Sequence, residues 1–501
     1  MRVMLVIANA EWYKPGTFWH LHPYALALLA AMLDRHRHQV RIVDANIDAL
    51  TPEAFGDVVR DWAPDLVGVS VLANEFAITG HVACRAVKAV SPEIVTVLGG
   101  VYPTSRPKDA IADPAVDYVA IGEGEYLFRD LLEHLEGRGP LPSRGLAYRD
   151  GARTVIQERA PFIADLDSLP YPAFELIDYG RYATQVYKHI VDAPRALPFA
   201  KMITSRGCPI GCTFCQVEAI SGKQTRYQSP QRVVDEMEWL VKEYGVKAIE
   251  FLDDNFLGRP ARSREIFSEM IRRRIPVVWN AMNVSAFYLS EDLLELMREA
   301  GCQYVSIAVE SGVPRVLKEL IHKPIDLAHV KRLVAKARAL GLDTSTLWVV
   351  GSPGETWDEI LTTIRMIEEI DAHYAKINMA TPYPGTKLFD MAVAGGYLSP
   401  DFSFDDLAWG QATFSTEEFS AAELTILRAF EWDRINFSDP DRRREIIRMM
   451  GVSEEKLEEI RRATRSNALA MAARQTAEAK PKPVRTLAPT VVGDIAIAVN
   501  A

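Results

Sequence analysis

Three of the five cysteines in this 501-residue chain stand within eight positions: Cys208, Cys212 and Cys215, in the stretch RGCPIGCTFC. Thiols crowded in this way are either metal ligands or an accident of core packing. A structural zinc site takes four ligands, usually from two separated pairs, and no second cysteine pair exists in the chain. Three thiolates on one loop suit an iron–sulfur cluster with one iron left open to a substrate or cofactor. The other two, Cys84 in HVACRAVKAV and Cys302 in EAGCQYVSI, lie in helix- or strand-like text, where a free cysteine commonly acts as a small buried hydrophobe.

A loop of ligands needs elements to hold it. The cysteines follow FAKMITS, the first of six strand-like runs that continue with KAIEFLDD, VVWNAMNV, YVSIAVES, TLWVVGS and AKINMATP, each separated by an amphipathic stretch. Six strand–helix repeats predict a complete or partial parallel (β/α) barrel with its chemistry at the carboxyl-end loops. Upstream, RVMLVIAN, VRIVDA, LVGVSV, IVTVLGG and DYVAIGEGE alternate with helical patterns. Five continuous apolar runs of this kind predict a doubly wound, five-stranded parallel sheet with ligands beyond the strands' carboxyl ends. Between the two series, Pro- and Gly-rich text includes Asp150-Gly151, a hairpin signal. The expected division is 1–137 for the first sheet, 138–198 for a linker with a hairpin, 199–395 for the barrel, 396–480 for a helical segment and 481–501 for a tail without amphipathic period.

The composition, 48% hydrophobic and 25% charged, is that of a soluble chain of two or three domains. A net charge of -10, from 57 basic and 67 acidic residues, argues against a broad nucleic-acid footprint. The longest early apolar run, Tyr24 to Leu33, is too short for a membrane span. Five cysteines make no disulfide framework, so a reducing cytoplasm is expected.

The cysteine loop, with Phe214 as the aromatic between the last two cysteines and Gly207 and Gly211 at the turns, resembles the radical S-adenosylmethionine enzymes. The resemblance runs from about Phe199 to Asp390 and implies a four-iron, four-sulfur cluster. Its open iron would chelate S-adenosylmethionine, which one electron from a flavodoxin- or ferredoxin-type donor cleaves to a 5′-deoxyadenosyl radical. By the same resemblance Asp253, Asp254 or Asn255 in IEFLDDNF takes the place of the motif that holds the methionine amino group. The family's usual Gly-Gly-Glu is absent there. Glu310 would face the ribose, and WVVGSPGET would line the adenine with Val349 or Val350, Gly351 and Gly354. As bare sequence, Asp253 and Glu310 also read as helix-capping acids after a strand.

The first sheet lacks both the Gly-x-Gly-x-x-Gly turn and the phosphate-loop lysine. Its DLVGVSVLANE, VLGGVYPTSRP and YVAIGEGE segments resemble the cobalamin-binding domain that precedes many such barrels. That resemblance points to Ser70, Asn74, Gly99, Gly100, Tyr102, Gly122, Glu123 and Gly124 around cobalamin. The Asp-x-His-x-x-Gly motif is missing, and Gly99-Gly100-Val101-Tyr102 stands where many relatives read Gly-Gly-x-His, which implies a cobalt without a histidine below it. His20 and His22, in GTFWHLHPYALA, are expected to be solvent or core residues. Trp409, Phe414 and the helices after Phe419 are expected to pack on the barrel or to close its open side. Together the parts imply methyl transfer from cobalamin to an unactivated carbon or phosphorus of a small molecule. A cyclisation or rearrangement with the same cofactors is the alternative, and a cobalamin-binding sensor or scaffold a further one.

Overall fold

The computed structural model describes residues 1–14, 22–184, 191–399, 402–404, 407, 410–478, 491–492 and 495–496. Strands β1 (Arg2–Ile7), β2 (Gln39–Asp44), β3 (Leu66–Ser70), β4 (Val95–Gly99) and β5 (Tyr118–Ala120) pair in parallel in the order β2-β1-β3-β4-β5. Val3, Met4, Leu5 and Val6 are consecutive and all buried, because helices cover both faces of the sheet. The hairpin expected inside the linker instead lengthens this sheet to seven strands. β6 (Leu146–Asp150) pairs antiparallel with β5, and β7 (Arg153–Ile156) pairs with β6. Its turn sits at Gly151, whose φ of 59° suits glycine. The short β5 would otherwise leave an open edge.

The second series forms an all-parallel sheet. β8 (Phe199–Met202) is followed by a two-residue pair that closes the base of the cysteine loop, β9 (Ser205–Arg206) against β10 (Arg226–Tyr227). Then come β11 (Ala248–Phe251), β12 (Val278–Ser285), β13 (Cys302–Glu310), β14 (Asp343–Val350) and β15 (Tyr374–Met379). The order β8-β11-β12-β13-β14-β15 leaves β8 and β15 as the two edges of a partial barrel. Lys201, Glu250, Asn280 and Tyr304 lie in one row across four neighbouring strands, a polar layer inside a core that also holds Phe251, Trp279 and Trp348. Lys201 and Glu250 pair within it at 3.5 Å, and the linker reaches it. Asn280 donates to the carbonyls of Asp192 and Ala193 at 3.0 and 3.1 Å, and Lys376 pairs with the Asp192 carboxylate.

Among the described residues a short helix, Lys387–Ala394, and then three more, Ala421–Phe437, Pro440–Met450 and Glu454–Glu478, follow the sheet. The helix Ala421–Phe437 covers the β15 edge. Asn436 accepts from the Ala375 amide at 2.8 Å and donates to its carbonyl at 3.0 Å, as a neighbouring strand would. Arg428 donates to the Ile377 carbonyl at 3.0 Å. Phe414 is buried against Tyr397, a packing role. His22 is a core residue edge-on to Phe174 and Tyr179, and burial lowers its pKa to about 3. Cys84 and Cys302 are fully buried. His20, Trp409 and the stretch 479–490 lie outside the described residues.

Candidate functional site

The cysteine loop is held at its base, its middle and its far end. Gly207 has φ 91°, and a Cβ there would stand 2.6 Å from the Gln224 carbonyl oxygen, so no other residue fits the turn. The Cys208 amide donates to the Gly222 carbonyl at 3.1 Å, and Asp254 accepts from the Gly207 amide at 2.8 Å. Thr213 ties the middle of the loop to the turn after β13, its amide donating to Ile321 and its hydroxyl to Leu320. Gln216 donates to the Pro384 carbonyl at 2.9 Å. The three thiols are partly buried and unpaired. Burial pushes Cys212 up to about 12 and Cys215 to about 11, so a metal that takes their sulfurs displaces protons. Phe214 packs part-buried against the barrel core.

Of the three acceptors expected after β11, the structure separates the roles. Asp253 is turned inward: its carboxylate accepts from the Thr204 amide at 2.8 Å and from the Thr204 and Ser205 hydroxyls at 2.7 and 2.6 Å. It therefore holds the approach to the loop, its two oxygens already accepting three hydrogen bonds. Asp254 fixes Gly207. Asn255 is next to the thiols, its amide donating to Cys208 Sγ at 3.6 Å.

Glu310 ends β13 at φ 76°, just beyond a register shift between Ala308 and Glu310. A bulge at a strand end re-aims a side chain, and here the carboxylate meets Lys323 at 2.8 Å, both groups buried. Lys323 also donates to the Ala308 carbonyl at 2.8 Å, and its charge reaches both Cys208 and Cys212. Sequence reasoning missed this lysine; a Lys in the HKPID turn, thirteen positions after Glu310, was the available signal. Val349 and Val350 are buried at the end of β14. Gly351 has φ 85°, but its absent Cβ would stand 2.2 Å from Leu424 Cδ2. The close approach it permits is that of the helix Ala421–Phe437, not of a ligand. Glu355 accepts from the amides of Gly351 and Ser352 at 2.7 and 3.0 Å.

The ends of the first sheet face the base of this loop across a cavity of about 270 Å³. Ser70, Gly99, Gly100, Gly122, Glu123 and Gly124 line one side of it. Ile203, Ser205, Arg206, Leu252 and Asp254 line the other. Three of the expected ligand contacts do other work. Asn74 is buried and accepts from the Ser105 hydroxyl at 3.1 Å, while Tyr102 is buried with its hydroxyl 2.8 Å from His81 Nε2; neither lines the cavity. Gly100, at φ 105°, makes room for backbone, since a Cβ would stand 2.4 Å from the Val71 carbonyl oxygen.

Glu123 is the centre of a bridge between the two units. Arg226 reaches both of its oxygens at 2.8 Å, Arg206 reaches one at 3.1 Å, and the Ile163 amide donates to it at 2.6 Å. Arg206 also pairs with Glu125 at 2.5 Å. The residue that opens the cysteine motif is thereby clamped to the β5 end of the other sheet.

Among the described residues no three His, Cys, Asp or Glu side chains converge to hold a single metal ion. Two family models match: the B12 binding domain over residues 20–132 and the Radical SAM superfamily over residues 202–367. An uncharacterized methyltransferase of Pyrococcus horikoshii is 32% identical, the match covering 75% of this chain and 79% of that protein. The cytidylyl-2-hydroxyethylphosphonate methyltransferase of Streptomyces wedmorensis is 28% identical over 82% of this chain and 85% of its own. The anaerobic magnesium-protoporphyrin IX monomethyl ester cyclase of Rubrivivax gelatinosus is 28% identical over 78% and 69%. In fold, the chain is similar to the radical S-adenosylmethionine methyltransferase TsrM of Kitasatospora setae, solved with cobalamin and a [4Fe-4S] cluster (TM-score 0.63, 21% identity, 79% of this chain and 76% of that one). It is similar also to the cobalamin-dependent enzyme OxsB (TM-score 0.68, 15% identity, 93% and 72%). A cysteine loop at the mouth of a six-stranded barrel, facing a 2-1-3-4-5 sheet across one cavity, agrees with both family models, and the chain belongs to the radical S-adenosylmethionine enzymes that carry a cobalamin-binding domain, whose cofactors are a [4Fe-4S] cluster, S-adenosylmethionine and cobalamin.

Proposed function

We propose that this chain transfers a methyl group to an unactivated carbon or phosphorus of a small-molecule substrate. The observation that carries the reading is the shared cavity, because the residues that shape the cysteine loop and the glycine-rich strand ends bound the same space. A large flat macrocycle needs such an opening. Leu72 and Leu252 line it from opposite units and are 38% and 44% exposed, apolar surface of the kind a ligand covers.

The residues fit the three cofactors as follows. Cys208, Cys212 and Cys215 are assigned to the cluster. Asn255, Glu310 with Lys323, and Val349 are assigned to S-adenosylmethionine, and Ser70, Gly99, Gly122, Gly124, Leu72 and Leu252 to cobalamin. When bound, the cluster supplies the electron that cleaves S-adenosylmethionine, and cobalamin supplies the methyl group. The chain's own part is to hold, orient and exclude water. Arg206 and Arg226, through Glu123, fix the separation of the two binding surfaces. Lys323 offsets negative charge beside the cysteines. The unit proposed to hold cobalamin runs through the hairpin to Ile156.

The electron is proposed to come from an external donor of flavodoxin or ferredoxin type. Beyond the three loop cysteines the chain has only Cys84 and Cys302, both buried, too few for a second iron–sulfur centre. Free rather than paired cysteines fit a reducing cytoplasm, and no described helix is long and apolar enough to cross a membrane. The cyclase among the relatives supports a second reading, in which the same cofactors drive ring closure without methyl transfer.

The test is product analysis. Reconstituted anaerobically with cobalamin, S-adenosylmethionine and reductant, and supplied with candidate substrates, the protein is expected to release both S-adenosylhomocysteine and 5′-deoxyadenosine along with a methylated product. Cys212→Ala is expected to abolish the 5′-deoxyadenosine and the product. Formation of 5′-deoxyadenosine with a rearranged, unmethylated product would replace this reading with the second one.

A further inference from the structure

The turn after β11 carries more than the acid that fixes Gly207. Asn255 is 5% exposed, and its amide nitrogen stands 3.6 Å from Cys208 Sγ. A thiolate accepts hydrogen bonds and cannot donate them, so a ligating sulfur takes the nitrogen of this amide and not its oxygen. The turn is stiff around the side chain. Phe256 is buried and stacks on Phe251 of β11 with ring centroids 3.9 Å apart, Leu257 is fully buried, and the Gly258 amide donates to the Asn255 backbone carbonyl at 3.1 Å. Gly258 also meets the side chain itself, since a Cβ there would stand 2.9 Å from Asn255 Nδ2.

The three sulfurs are not served alike. Cys208 has the Ile210 backbone amide besides Asn255, Cys215 has the Val217 backbone amide, and Cys212 has the nearby charge of Lys323. Among the described residues Asn255 is the one side chain that donates to a loop cysteine. Tyr288, half-buried in the turn Ala286–Tyr288 after β12, lies beside both Asn255 and Cys208. The bond is therefore made in a sheltered place, where a dipole is weakly screened.

We infer that Asn255 is a positioning residue acting through Cys208, and that its N–H···S bond raises the reduction potential of the cluster, an inference that rests on the cluster assignment above. The electron that reduces a cluster spreads onto its cysteine sulfurs. An N–H dipole aimed at one of them stabilises the reduced form more than the oxidised form, and hydrogen bonds to sulfur are among the factors that set such potentials. A higher potential leaves more of the cluster reduced by a given flavodoxin- or ferredoxin-type donor. The contact to S-adenosylmethionine assigned above needs only the oxygen of the same amide, so the two uses do not compete.

The experiment is a potentiometric titration of the full chain with its cluster reconstituted and S-adenosylmethionine left out, read by electron paramagnetic resonance of the reduced cluster. Asn255→Ala is expected to keep wild-type iron and sulfide and to make the ratio of reduced to oxidised cluster at a given potential roughly tenfold smaller, a downward shift of about 59 mV for a one-electron couple. Asn255→Asp, which sets a carboxylate where the donor was, is expected to shift it further down. A midpoint unchanged or raised in Asn255→Ala, at wild-type iron content, overturns the inference, because a merely structural role would move iron content or melting temperature and not the potential. If the variants lose the cluster, the wild type decides: with the side-chain amides of asparagine isotopically labelled in nitrogen, pulsed electron paramagnetic resonance of the reduced cluster is expected to show a weakly coupled labelled nitrogen, and its absence overturns the inference. Failure of the wild type to assemble any cluster overturns the cluster assignment itself.

Discussion

Arg206 stands two positions before the first loop cysteine and reaches out of the barrel to Glu123 and Glu125. With the Arg206 side chain 14% exposed and that of Glu125 9%, truncating the arginine leaves a buried carboxylate uncompensated. Arg206→Ala is therefore expected to destabilise the protein by about 3 kcal/mol, read as a lower melting temperature. Arg206→Lys is expected to recover only part of this, since one ammonium cannot fork to two carboxylates. A wild-type melting curve for Arg206→Ala would remove the bridge from the account. At the cysteines, the triple variant Cys208→Ala, Cys212→Ala, Cys215→Ala is expected to lose reconstituted iron and sulfide, and Cys84→Ala with Cys302→Ala to keep both; iron analysis checks this. The three loop cysteines stood out in the sequence because their spacing is local. The use of Asp253 did not, since its partners Thr204 and Ser205 come from the turn after β8 and from the start of β9, 49 and 48 positions away. Lys323 was hidden for a different reason: its pairing with Glu310 depends on the bulge in β13.

The strand–helix alternation showed in the sequence because continuous apolar runs and amphipathic stretches have different periods, and all eleven parallel strands fall on the runs that pattern marks. What closes the sheet edges was not legible. The β6–β7 hairpin announces itself through Asp150-Gly151, but nothing local says which edge it joins. Asn436 lies 61 residues from the β15 backbone it satisfies. Asn436→Ala leaves the Ala375 amide and carbonyl buried without those bonds, at a cost of about 2–3 kcal/mol. Chemical denaturation is expected to show that loss without a change in cluster content, and an unchanged midpoint would mean that the helix Ala421–Phe437 holds the edge by apolar packing alone. Gly351 illustrates a right position read for the wrong reason: a glycine at a strand end can admit a ligand or a helix, and only the three-dimensional position of Leu424 decides between them.

For the whole molecule, two deeply buried acids set a dependence on pH. Burial pushes Glu236 and Glu355 from an ordinary value of 4.5 up to about 7. The folded state thus holds these protons more tightly than the unfolded chain, so their contribution is fully present below about pH 4.5 and is lost as pH rises through about 7. Glu236→Gln is expected to gain stability relative to wild type between pH 5 and pH 8, with melting curves at both as the check. A constant difference would show that Glu236 titrates normally. At the same scale stands the proposed coupling of two cofactor surfaces across one cavity. The most direct test follows the methyl group. With S-adenosylmethionine deuterated on its methyl, plus cobalamin, reductant and the true substrate, mass spectrometry is expected to find a product carrying that labelled methyl, with S-adenosylhomocysteine and 5′-deoxyadenosine both formed. A product of altered structure that carries no labelled methyl, formed with 5′-deoxyadenosine but without S-adenosylhomocysteine, would contradict the account.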